Sequence, residues 1–362
     1  MTKQIDDFTS EVSDWGRVAL ELLYWSTKGL QVPASYAPQL WERSQPHIPE
    51  LRVRSVDSLL YLGCDRHVPS QRVYDKVWNK QREVLLDILS TLERYGIQPL
   101  IFKGAEFCAG YYKNRSLGFL SDIDLLVDRK LLGTVKHLLF LQGLRQAVFN
   151  PAQQLLVDRD VPEVARLEAS QFELSPLVCL QEIELDSEEL SFAREYNRHP
   201  LWVVDDRCHM VMEINIYYQL AADVESGDIL NRAIPSSLGR GLTMSREDHL
   251  WFLTSRYYNE VAMHGKRSLR DFAYLVALLD DDQFDWRVIL GQAQKYDLEA
   301  PLYYFLSFLS RLSEKMVPRE VLSELLPTRN RQRDWGWQLS KLFGGIEPFY
   351  LQPTLDSFRF VD

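Results

Sequence analysis

The chain has 362 residues, of which 25% are charged and 46% hydrophobic, the balance of a folded globular protein rather than a disordered one. No stretch approaches the roughly 18 uncharged apolar residues of a membrane span, and the acidic start, MTKQIDDFTSEVSDWGR, does not read as a secretory leader. Lys plus Arg is 41 against 51 Asp plus Glu, a net charge of −10, which argues against broad charge-driven binding of nucleic acid.

At about 150 residues per domain the length predicts two to three domains. The first helix is predicted over Trp15 to Trp25. A connector with Pro33, Pro38, Pro46 and Pro49 follows, then a second helical stretch over 51–68. Residues 73–95 form the clearest helix, with Val73, Val77, Trp78, Leu85, Ile88, Leu89 and Leu92 at three-to-four spacing. Gly96 stands where a helix-ending glycine belongs. A strand is predicted over Ile97 to Phe102, with Pro99 near its start, and Gly104 turns the chain into a helix over Ala105 to Tyr112. Ser121 to Val127 reads as a strand with acids at one end, and 130–142 as a helix closed by Gly143.

Leu177 to Leu185, Leu201 to Val204 and Met210 to Tyr218 read as strands, and the charged stretches 156–170 and 186–199 as loops or surface helices. Leu250 to Tyr258, Leu269 to Leu279, Trp286 to Tyr296 and Leu302 to Leu312 are helical candidates. The alternation of helices and strands in the first half points to an α/β domain, with a domain change near 225–245. Cys64, Cys108, Cys179 and Cys208 show neither CxxC spacing nor a nearby His at zinc spacing. They fit thiols in a reducing cytoplasm.

The sharpest chemical feature is Lys103-Gly104 followed by Asp122-Ile123-Asp124. Side chains two apart on a strand share a face, so the two carboxylates project together and repel unless a cation lies between them. Hard oxygen ligands with open positions are what Mg²⁺ needs for phosphoryl chemistry. A D-x-D also suits a solvated strand end. Gly104 at a strand-to-helix junction lets backbone approach a phosphate, and Lys103 or Arg115 could supply positive charge beside the acids. Glu213 interrupts an apolar strand, Met210 to Ile216, where a carboxylate is costly unless it is paired or metal-bound.

The stretch Ile101-Phe102-Lys103-Gly104-Ala105, then Tyr112 and Ser121 to Val127, resembles the nucleotidyltransferase fold superfamily, in particular its branch of uncharacterised bacterial nucleotidyltransferases. Leu269-Arg270-Asp271 and Asp285-Trp286 match the branch's helical part. The resemblance covers roughly 75–145 and 205–312. It implies an α+β fold, with a mixed β-sheet core flanked by helices. It gives an N-terminal helical extension (1–72), a catalytic domain (73–225) and a C-terminal helical domain (226–362). It implies Asp122, Asp124 and Glu213 as metal and catalytic residues, Mg²⁺ or Mn²⁺ as cofactor and a nucleoside triphosphate as substrate. Lys103, Gly104, Arg115 and Arg270 are the expected nucleotide contacts.

The chain departs from the superfamily at one place and from the branch at two. Ala105, as in this branch, offers no hydroxyl to the phosphates where the superfamily usually has Gly-Ser or Gly-Gly; Gly118 stands where the branch often has an Arg, and Asn215 stands where it often has a His. Asp271 also reads as the end of a capping box with Ser268. Lys266, Arg267 and Arg270 read either as a basic patch for phosphates or as a solubilising loop. Tyr217, Tyr218, Tyr257 and Tyr258 suit either base stacking or the core.

The reaction this implies is transfer of a nucleotidyl group to a small-molecule or peptide-like acceptor, with release of pyrophosphate, in the cytoplasm and away from membranes. The acidic balance disfavours a long RNA acceptor. Two alternatives stand beside it: a toxin-like enzyme modifying a protein or tRNA, and a nucleotide-binding module without activity.

Overall fold

The computed structural model describes residues 13–326 except 222, 223, 225, 280–283, 314 and 315. The N-terminal helices are α1 (Asp14–Ser26), α2 (Ala37–Ser44), α3 (Ile48–Val53) and α4 (Asp57–Gly63). The long helix α5 (Pro69–Arg94) leads to β1 (Leu100–Phe102), α6 (Gly104–Ala109), β2 (Asp122–Leu126) and α7 (Leu132–Leu141). A hairpin of β3 (Ala147–Asn150) and β4 (Leu155–Asp158) precedes α8 (Val161–Ser170), β5 (Leu177–Ile183) and α9 (Ser187–Tyr196). Then come β6 (Leu201–Val204), β7 (Arg207–Tyr217), α10 (Ser226–Asn231), β8 (Ile234–Pro235) and β9 (Leu242–Thr243). The last described helices are α11 (Arg246–His264), α12 (Arg270–Leu278), α13 (Trp286–Tyr296), α14 (Glu299–Leu312) and α15 (Arg319–Glu324). This is the mixed α+β class expected from the resemblance. Among the described residues no helix is long and apolar enough to cross a membrane.

The chain divides into two compact units, His67–Ser245 and a second formed by the described parts of 1–66 and 246–362. The boundaries differ from those expected at 72 and 225, and the N-terminal helices join the C-terminal ones. The reason is local. Val18, Ala19, Leu20, Leu22, Leu23 and Trp25 of α1 are all buried, so the helix needs cover on most of its circumference. Helices α4, α12 and α14 supply it. The Leu269 amide donates to the Arg54 carbonyl at 2.7 Å, which ties the two segments by backbone.

The sheet unit is built on seven strands in the order β5-β7-β2-β1-β9-β8, with β6 also paired to β7. It is mixed: β2 runs parallel to β7 and antiparallel to β1, while β5 and β6 run antiparallel to β7. The eleven-residue β7 is long enough to pair β6 along Arg207 to Met210 and β2 along Glu213 to Tyr217. Asp205 and Asp206, with φ of 47° and 62°, make the tight β6–β7 turn, since a two-residue hairpin needs two left-handed residues. The strand expected over 97–102 keeps only its last three residues; Pro99, which has no N–H, stands just before it. Gly241 is required where β9 meets β1, because a Cβ there would lie 2.7 Å from Ile101 Cδ1 and 3.1 Å from the Pro99 carbonyl. The core of the sheet is apolar, with Leu100, Ile101, Phe102, Ile123, Leu125, Ile214 and Ile216 fully covered.

The two charged stretches left open in the sequence both contain helices. Asp186 and Glu189 form a reciprocal capping box at the start of α9. Glu189 also receives Arg72 and Lys76 of α5, at 3.1 and 2.7 Å.

Candidate functional site

The site is set by strand register. Asp122 lies opposite Glu213, and Asp124 opposite Asn215, in the parallel β2–β7 pair. Phe102 lies opposite Asp124 in the antiparallel β1–β2 pair. Opposed residues share a face of a sheet, and so do residues two apart on one strand. Asp122, Asp124, Glu213 and Asn215 therefore project from one face, across two adjacent central strands.

Each aspartate is held by a protein donor. Lys103 Nζ donates to Asp124 Oδ1 at 2.7 Å, and both side chains are largely buried, at 13% and 4% exposure. Ser121 Oγ donates to Asp122 Oδ1 at 2.7 Å, and Asn215 Nδ2 donates to Asp122 Oδ2 at 2.9 Å. Asn215 Oδ1 is buried and has no hydrogen-bond partner, an unused acceptor beside two carboxylates that costs about 1–3 kcal/mol to leave unmade.

Burial pushes the Glu213 carboxyl above its ordinary value; Asp122 and Asp124 push it the same way, while His199 and Arg159 pull it down. Glu213 is thus a reluctant anion, kept near other anions by the register of the sheet. The two side chains that act the other way come from outside the motif. His199 precedes β6, and its Nε2 lies 2.9 Å from the Ser121 carbonyl; a carbonyl can only accept, so that nitrogen carries the proton. Arg159 stands between β4 and α8 and pairs with Glu163 at 3.1 Å.

The turn after β1 departs from expectation. The left-handed residue is Lys103, at φ 59° and ψ −139°, and Gly104 is the first residue of α6. A side chain in that region costs on the order of 1–3 kcal/mol. The turn sends the Lys103 ammonium over the rings of Phe102 and Tyr217, 5.1 and 5.0 Å from their centroids, to reach Asp124. α6 spans six residues, so its dipole adds little for a phosphate.

Arg115 is engaged elsewhere. Its Nε donates to Asp75 Oδ2 of α5 at 2.8 Å, and the Ser116 amide donates to the other oxygen of the same carboxylate at 3.2 Å. The pair fixes the turn that delivers β2.

Arg270 opens α12 in the helical unit, with its amide donating to Ser268 Oγ at 3.3 Å. The capping box expected between Ser268 and Asp271 is not the one formed, because the N-cap is Leu269. Asp271 instead accepts from Lys266, which also pairs with Glu260. Lys266 therefore belongs to a half-buried ion cluster rather than to a basic patch. Tyr257 is fully buried and donates to the Ser268 carbonyl at 2.6 Å, and Tyr258 stacks on Tyr304 at 6.1 Å, so both are core.

The donor chemistry suits a hard divalent cation. Three carboxylates and an amide oxygen share a face, and the Lys103 ammonium touches one of them, Asp124. With Asp124 turned to Lys103 and Asp122 to Ser121 and Asn215, no three His, Cys, Asp or Glu side chains among the described residues are posed together as metal ligands. A shared ion therefore requires Asp124 to exchange Lys103 for it. A family model described as "uncharacterised nucleotidyltransferase" matches residues 77–314. No curated protein and no solved structure matches the chain.

Proposed function

The chain belongs to the uncharacterised nucleotidyltransferase family, and from that premise we propose that it transfers a nucleotidyl group from a nucleoside triphosphate to a small-molecule or peptide-like acceptor. The observation that carries the reading is the register that aligns Asp122 with Glu213 and sets Asp124 on the same face. Asp122, Asp124 and Glu213 would hold Mg²⁺ or Mn²⁺ through hard oxygens. When bound, the ion supplies positive charge to the triphosphate.

The chain's own residues do the rest. Glu213, whose carboxyl is pushed above its ordinary value by burial, accepts the proton of the acceptor's attacking heteroatom as general base. That atom bonds to the α-phosphorus, the bond to the bridging oxygen breaks, and pyrophosphate leaves with the electron pair. Lys103, released from Asp124, turns to the phosphates. Gly104 presents backbone without a side chain beside them. Asn215 Oδ1 accepts a hydrogen bond from the acceptor or the sugar. Arg115 serves structure through Asp75.

The test is incubation of the full chain with Mg²⁺, each α-labelled nucleoside triphosphate and a fraction of small metabolites. Label in a small product, with equal pyrophosphate, is the expected result. Label on protein or tRNA would replace the acceptor class. Nucleotide binding without pyrophosphate, unchanged in Asp122→Asn, would overturn the reading in favour of a binding module.

A further inference from the structure

A pocket of about 520 Å³ lies in the sheet unit between α7, the two ends of the β3–β4 hairpin and α8. Phe140, Leu144, Val161 and Val164 give it apolar walls. Its charged lining is Lys136, Arg145 and Arg159 against Asp158, so three cations face one carboxylate in a chain whose net charge is −10. Arg145 and Asp158 pair with each other at 2.6 Å on the half-exposed rim. That leaves Lys136 and Arg159 as the inner cations. Glu168 holds Lys136 at 2.9 Å and Glu163 holds Arg159 at 3.1 Å, which fixes both side chains in place. The Nε of Arg159 is buried and without a hydrogen-bond partner, so its guanidinium retains binding capacity.

The pocket adjoins the carboxylates through the sheet. Arg145 bridges Val178, Val178 is opposite Glu213, and Glu213 is opposite Asp122. At about 4.8 Å per strand, Arg145 is roughly 10 Å from Glu213 along that row. Arg159 is close enough for its charge to act on Glu213.

We infer that this pocket is the acceptor site of the reaction proposed above, on which its role rests, and that it takes an organic anion: an apolar body among Phe140, Leu144 and Val164, and a carboxylate or phosphate against Arg159 and Lys136. An apolar pocket with a few convergent polar groups is the usual form of a small-molecule site, and a guanidinium reads both anions in the same bidentate way.

The test titrates the full chain with 8-anilinonaphthalene-1-sulfonate, an aromatic anion, without nucleotide, and then displaces it with decanoate, decyl phosphate or 1-decanol. The expected result is one site, from which an anion displaces the probe at a concentration at least about tenfold below that of the alcohol; which anion is stronger identifies the head group. Val161→Glu, at a rim position 78% exposed and in the first turn of α8, where an acid favours the helix, weakens the probe at least about tenfold, or about 1.4 kcal/mol. Arg159→Gln does the same and Arg159→Lys restores part of the loss. Binding unmoved by Val161→Glu and Arg159→Gln, or equal displacement by the alcohol, would overturn the proposal. Mn²⁺–ATP affinity is read on the same samples. A chain that holds the probe in the pocket but no nucleotide would sink the transfer reading and the acceptor role with it. A chain that binds nucleotide while the probe ignores both substitutions would sink the pocket alone.

Discussion

Each unit carries a cluster of charge at low exposure, and the two clusters are built to opposite rules. In the helical unit Glu260 and Asp271 meet Lys266 and Arg256, two carboxylates for two cations, with side chains 20–39% exposed. The Lys266 ammonium is held above its ordinary value: burial works against it, but the two carboxylates outweigh that. In the sheet unit the Lys103 ammonium pairs with Asp124, Asp122 accepts from Ser121 and Asn215, and Glu213 is pushed toward neutrality. A cluster that closes its own charge stabilises a fold. One that leaves its charge open fits a cation brought from outside. Asp271 and Asp124 sit in similar sequence settings, an acid at the edge of an apolar run, yet only the second is in an open cluster.

The largest expected effect comes from breaking the open cluster. Asp122→Asn, which leaves the Lys103–Asp124 pair in place, lowers nucleotidyl transfer by roughly a thousand-fold, the scale of losing a principal electrostatic group, while the melting temperature stays level or rises. Rates and thermal scans on the same protein check both parts, and a parallel loss of fold would erase the contrast. Breaking the closed cluster does the reverse. Lys266→Met leaves Asp271 and Glu260 without their shared ammonium and destabilises by on the order of 1 kcal/mol, the scale of a half-exposed pair, as read from urea midpoints.

Acidity sharpens the contrast next. His249 in α11 is fully buried and lowered to about 4 from 6.5, with desolvation the cause. Its folded value is depressed, so the unfolded chain takes the proton first and stability is lost as pH falls from 6.5 towards 4. Glu213 has the opposite sign. Its folded value is raised, so its contribution is present below the ordinary carboxylate range and is lost as pH rises through the raised value. Urea midpoints against pH for wild type and His249→Asn should show the acid loss flattened in the variant. The smallest effect is Glu213→Gln in metal-free buffer. Removing a buried anion among anions raises stability at neutral pH by on the order of 1 kcal/mol, while transfer is lost; a fall in the midpoint would contradict the account.

What was legible in the sequence was what is local. Asp122 and Asp124 share a face because strands alternate, and Glu213 stood out because nothing else in Met210 to Ile216 but Asn215 is polar. The long helix showed in its spacing. The hairpin did not, because it is apolar on both sides: Phe149 and Leu156 pack toward Val178 and Val211, while Val148 and Val157 are exposed. Without alternation there is no period of two to read. His199 and Arg159 were not legible because their roles arise from tertiary approach to Ser121 and Glu213. The pairing of Arg115 with Asp75 was not legible because Asp75 lies forty residues away. Gly104 marked the strand-to-helix turn, but the positive φ falls on Lys103 before it, whose ammonium then reaches Asp124.

The central claim is that the open cluster is a cation site for a nucleotide. Electron paramagnetic resonance of Mn²⁺ titrated into the full chain with a non-hydrolysable nucleoside triphosphate tests it most directly. The account predicts protein-bound Mn²⁺ that requires nucleotide, is lost in Asp122→Asn and Asp124→Asn, and persists in Lys266→Met under conditions where that variant is folded. Mn²⁺ binding that survives both aspartate substitutions, or fails to form in the wild type, would contradict it.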